Sequence, residues 1–132
     1  MKKILVVDAN TMKMGEISRI CKEQNFETIS FFEIDSAVKY LKTHRREVSG
    51  IILNLSLPIF NTSGGHVWNE FHGMEMIEEL TKKKIEIPIL INSKTVIDLP
   101  EIMKKHNNVK GQTSFIQKQK HREDIEAFIN TL

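Results

Sequence analysis

Cysteine is almost absent from this chain. Cys21 is the only one, and a single thiol excludes an internal disulfide. It shares a helical face with Ile17 and Ile20, which makes it a small buried hydrophobe rather than a reactive group. No apolar run approaches the ~20 residues needed to span a membrane. The opening residues MKKILVVD meet a charge too soon for a secretory signal. These absences point to the cytoplasm and away from the membrane. There is no internal repeat, low-complexity tract or linker either, so residues 1–132 read as one domain with a single core.

A large excess of one charge is also missing, since the net charge is +2. Its distribution is uneven, however. Residues 82–122 hold ten Lys or Arg against three acids, Glu86, Asp98 and Glu101. Such a stretch suits an acidic partner or simply solvated helix faces. Phe115 is the one aromatic residue in it, which argues against nucleic acid, where bases stack on interleaved rings. No paired acid and base and no nucleophile triad is visible, so an independent enzyme is not expected.

What is present is an alternation of short β-rich runs with helical patterns. KKILVVD (2–8) predicts a strand, and Asn10 or Thr11 can cap a helix running to about Gln24. ETISFF (27–32), GIILNL (50–55), IPILINS (87–93) and SFIQ (114–117) predict four more strands. Helices are predicted over 35–44, in GMEMIEELTKKK, over 98–106 with Pro100 in the first turn, and in REDIEAFINTL. Five strands separated by helices imply parallel βαβ units, and two near-continuous apolar strands imply a sheet covered on both faces. That is a doubly wound α/β/α sandwich, in which ligands and chemistry sit beyond the carboxyl ends of the strands. Asp8, Asn54, Ser93 and Lys118 stand at or just past those ends, and the fold is expected to gather them around one crevice.

In this order the motifs resemble a response-regulator receiver domain over nearly the whole chain. KKILVVDAN resembles the family's first strand with its acidic residues. IILNLSLP resembles the strand that ends in the phosphoacceptor aspartate, and GMEMIEEL the glycine-led helix after it. IPILINS resembles the strand ending in a hydroxyl, and FIQKQ the strand that delivers a lysine. The resemblance implies a flavodoxin- or CheY-like five-stranded parallel sheet of order 2-1-3-4-5. It implies a two-component (phosphorelay) signalling module that meets partners, or itself, through the face of the fourth helix, fifth strand and last helix. The chain ends at the last helix, so no attached DNA-binding or enzymatic output domain is expected.

The departures from the family bear on its chemistry. Asn54 stands in the phosphoacceptor position, Ala9 in that of one metal-binding acid, and Phe115 in that of a switching aromatic. An amide carries no full negative charge and cannot form the usual acyl phosphate. Asp8 is the only family metal ligand left, so magnesium binding is expected to be weak or absent and no other cofactor is implied. Lys118 is expected to pair with Asp8, with Asn54 as a hydrogen-bonding neighbour. Gln119 replaces the proline that usually follows the lysine, so the bond before it is expected to be trans. About eleven extra residues lie between Pro58 and Gly73, giving an extended loop at about 59–72. Trp68, Phe71 and Phe60 in it can cover the crevice or anchor a partner, while His66 and His72 are weak candidates for zinc. A receiver still phosphorylated, at Asp8, and a sensor holding a small molecule in the crevice are the competing readings.

Overall fold

The computed structural model describes residues 2–60 and 65–132. In chain order the elements are β1 (Lys3–Val7), α1 (Thr11–Glu23), β2 (Glu27–Phe31), α2 (Ile34–His44), β3 (Val48–Leu53), β4 (Leu57–Phe60) and β5 (His66–Asn69). They continue with α3 (Met74–Lys82), β6 (Ile89–Asn92), α4 (Leu99–Lys105), β7 (Val109–Thr113) and α5 (Lys118–Asn130). A 3-10 turn, Arg45–Glu47, joins α2 to β3. Five strands form one parallel sheet in the order β2-β1-β3-β6-β7. Counted along that sheet alone, this is the expected order 2-1-3-4-5.

Strand alternation divides the core in two. Leu5, Val7, Ile51, Leu53, Ile89 and Ile91 meet Leu41, Met76 and Leu80 of α2 and α3, with α4 at the margin. Ile4, Val6, Ile52 and Leu90 meet Ile17 and Ile20 of α1 and Ile125 and Phe128 of α5. Cys21 is fully buried in that second layer, and burial pushes its thiol pKa up to about 12. The packed-hydrophobe reading of this residue therefore holds. Among the described residues, no helix is long and apolar enough to cross a membrane.

Local chemistry fixes the helix ends. Asn10 Oδ1 accepts from the Lys13 amide at 3.1 Å, closing the first turn of α1. Asp98 does the same for α4 through the Glu101 amide at 3.2 Å, with Pro100 in the first turn. Beyond α1, Asn25 takes a left-handed φ of 66°, a conformation asparagine tolerates better than most residues.

Two sequence expectations need correction. The last strand is Val109–Thr113, and SFIQ forms the turn after it. VKGQT reads poorly as a strand because β7 is a sheet edge, paired only with β6, and so carries exposed and half-buried polar residues. Consequently α5 begins at Lys118, four residues before Arg122, where its apolar pattern becomes visible. The extended loop also contains structure. β4 and β5 form an antiparallel hairpin with Pro58 opposite Trp68 and Ile59 opposite Val67. Gly64 and the side chains of Phe60 and His66 lie outside the described residues.

Candidate functional site

β1, β3 and β6 are parallel neighbours, so the residues that follow them open at one level. Asp8, Asn54 and Ser93 line a crevice of ≈ 220 Å³ together with Lys13, Ser56, Trp68, Glu70, Lys94, Thr95 and Phe115. Asp8, Asn54 and Ser93 are all buried, Asp8 with only 1% of its surface exposed.

Asp8 and Asn54 are joined directly. Asn54 Nδ2 donates to Asp8 Oδ1 at 3.2 Å, and the same oxygen accepts from the Asn10 amide at 2.9 Å. At the other end of the amide, Asn54 Oδ1 accepts from the Ser56 amide at 3.0 Å. Only one orientation of the side chain satisfies both contacts, because flipping it would set NH₂ against N–H and oxygen against carboxylate. An asparagine thus fits this place through both of its heteroatoms. The backbone around it is equally constrained. A Cβ on Gly73 would stand 2.6 Å from the Asn54 carbonyl oxygen and 2.7 Å from Leu55 Cα, so only glycine lets α3 start this close to β3. The Gly73 amide uses that approach to donate to Leu55 O at 2.9 Å.

The cation beside Asp8 comes from an unexpected element. Lys13, in the first turn of α1, puts Nζ 3.6 Å from Asp8 Oδ2, and only 16% of its side chain is exposed. The same ammonium lies 3.8 Å from the centre of the Phe115 ring, a cation–π contact that favours a partly desolvated charge. Lys118, expected in this role, is exposed at the start of α5 and lines a separate groove with Glu16, Arg19 and Arg122. The displacement follows from the strand correction. With β7 ending at Thr113, a residue five positions later has already entered the helix. Gln119 is thereby inside the first turn of α5, and no described peptide bond is cis. Phe115 reaches the crevice from the turn after β7 rather than from a strand.

Ser93 closes the far wall. Its Oγ accepts from the Thr95 amide at 3.1 Å, and Gln112 of β7 donates to the carbonyls of Ser93 and Thr95 at 2.9 and 3.0 Å. Trp68 forms part of the near wall while remaining 56% exposed, so the hairpin flanks the crevice without sealing it. Phe71 is also about half exposed. His72 Nδ1 sits 3.2 Å from Glu75 Oε2. Ala9, beside Asp8, brings no charge to the floor.

Sequence reasoning missed Lys13, Gln112 and a buried pair behind the site. His121 Nε2 of α5 meets Asn92 Oδ1 at 3.2 Å, both side chains being almost wholly inaccessible. Burial lowers the His121 pKa, and Lys13 lowers it further against the opposing pull of Glu16, Asp124 and Asp8. A signal for Lys13 did exist. It follows the Asn10 cap by three residues, and the first turn of a helix entered from strand one must stand over the crevice.

No family model matches the chain, and no curated protein does. Solved structures do. A response-regulator receiver protein from Pseudomonas putida matches with a TM-score of 0.74 at 15% identity, covering 99% of this chain and 97% of that one. The signal receiver domain of a putative Luxo repressor protein from Vibrio parahaemolyticus matches with a TM-score of 0.73 at 13% identity, covering 98% and 91%. The chemotaxis protein CheY4 of Vibrio cholerae gives 0.71 at 14%, covering 97% and 98%. With its sheet order, its helix layers and its crevice at the strand ends, the chain has the fold of response-regulator receiver domains.

Proposed function

We propose that this protein is a receiver-like signalling module that works by protein contact and without aspartyl phosphorylation. The observation that carries the reading is the Asn54 amide, buried and hydrogen-bonded at both ends, where the family's acceptor carboxylate would stand. In-line attack on phosphorus needs a charged oxygen and a cation to gather the developing charge. Asn54 Oδ1 is neutral and occupied by the Ser56 amide. Asp8 is no substitute acceptor, because Oδ1 takes two N–H donors and Oδ2 faces Lys13.

The surface that fits a partner is the face of α4, β7 and α5. Val96 and Ile116 are there 92% and 70% exposed, and they line a groove of ≈ 510 Å³ with Ile97, Gln112, Lys120 and Asp124. Lys94 lines the same groove, and with Lys120 it gives the groove a basic edge. An apolar centre with a basic rim suits a partner presenting apolar anchors among acidic residues.

The test is an amide NMR titration of the unmodified protein with magnesium and then magnesium plus beryllofluoride. Unchanged resonances at residues 8, 54, 93 and 115 support the reading. Saturable shifts that spread from the crevice to α5 would refute it.

A further inference from the structure

We infer that the Lys13 ammonium is a built-in cation that takes over the charge-balancing role of a divalent metal at this site and keeps such a metal out. The inference rests on the reading above and concerns what balances Asp8. A magnesium ion needs near-octahedral oxygen ligation, usually through one or two carboxylates and retained waters. Here the residues present, with Lys13 among them, do not fit one. Among the described residues, Asp8 and Glu70 are the carboxylates lining the crevice; Glu70 is exposed, and Asp8 Oδ1 is saturated by the Asn10 amide and Asn54 Nδ2. Asn54 Oδ1 is turned to the Ser56 amide. That leaves Asp8 Oδ2, a buried oxygen with no hydrogen-bond donor among the described residues. Its nearest charge is Lys13 Nζ at 3.6 Å.

The position of Lys13 is built rather than incidental. Its side chain is largely buried, its backbone amide is tied to the Asn10 cap, and its head group rests on the Phe115 ring. Removing the long flexible side chain from water restricts its rotamers, so the ammonium is held near one place. A dication arriving at Asp8 would meet that fixed positive charge in a partly desolvated crevice, where repulsion is poorly screened. The uncharged Ala9 and the tethered Lys13 ammonium thus act in the same direction, against a dication at Asp8. Glu70 and Lys94 add one charge of each sign to the lining, so the crevice is balanced without a ligand.

The experiment compares the wild-type protein with Lys13→Met and Lys13→Arg. Thermal unfolding is followed with and without millimolar MgCl₂ at constant ionic strength, and amide line broadening is followed with trace Mn²⁺. Wild type and Lys13→Arg are expected to show no magnesium-dependent change in Tm and no localised broadening. Lys13→Met is expected to show a saturable rise in Tm of about 3–6 °C, the scale on which ligand occupancy stabilises a domain of this size, with broadening at residues 8 and 54. Should Lys13→Met fail to fold, Lys13→Gln serves the same comparison with an uncharged, hydrogen-bonding head. A saturable magnesium response in the wild type would overturn the inference, as would a neutral variant as unresponsive as the wild type. Beryllofluoride-driven switching would refute the proposed function instead, so the two failures are distinguishable.

Discussion

Asn54 is clamped at both ends, and a carboxylate in its place would aim an oxygen at Asp8 Oδ1, now 3.2 Å from the amide nitrogen. Like charges that close strongly disfavour joint ionisation. Asn54→Asp alone is therefore expected to remain unlabelled by acetyl phosphate, while Ala9→Asp/Asn54→Asp, whose two added carboxylates outweigh the Lys13 ammonium, regains labelling with magnesium. Mass spectrometry of the treated proteins decides, and strong labelling of the single variant would refute the expectation. Gly73 makes a different demand. Because its missing Cβ would strike backbone atoms, Gly73→Ala must displace α3 or β3. A loss of about 1–3 kcal/mol is expected, measured as a lower urea midpoint.

The hairpin shows how one element can be buried at its root and exposed at its face. Leu57 is fully buried against the α2–α3 layer, whereas its neighbours Val67 and Trp68 are more than half exposed. Two strands alone are marginal in water, so burial of the root contributes to holding β4 and β5 to the domain. Leu57→Ala is expected to cost about 2–5 kcal/mol, the range for deleting a buried leucine side chain. Val67→Ser should stay within about 0.5 kcal/mol, as surface changes do. Paired denaturation curves test the contrast, and equal losses would place the anchor elsewhere.

At the scale of the whole molecule, α1 and α5 close over one side of the sheet, and the His121–Asn92 pair is sealed under them. Burial holds the His121 pKa below its usual value, with Lys13 adding to the shift and Glu16, Asp124 and Asp8 opposing it. An unfolded chain takes up this proton near pH ~6.5 while the folded one does so only at lower pH. The contribution of His121 is then fully present above ~6.5 and lost as pH falls through the folded value. His121→Gln retains a partner for Asn92 and is expected to flatten the decline in Tm between neutral pH and about pH 5. An unchanged decline would assign acid sensitivity to other groups.

Much of this organisation is legible in the sequence, because it rests on local periodicity. The apolar runs around Ile4, Ile51 and Ile89 could only be buried strands, and strand–helix alternation then dictated a parallel sheet with its crevice at Asp8, Asn54 and Ser93. Asn54 and Ala9 could likewise be read directly, since the absence of a carboxylate needs no coordinates. The edge strand β7 was not legible: of VKGQT only Val109 is apolar with a side chain to bury, so the pattern that marks a strand is missing, and the more apolar SFIQ drew the assignment instead. Which lysine would balance Asp8 depended on that register, on the angle at which α1 leaves β1 and on the ring that Phe115 offers. Those are relations between segments distant in the chain, and only tertiary packing sets them.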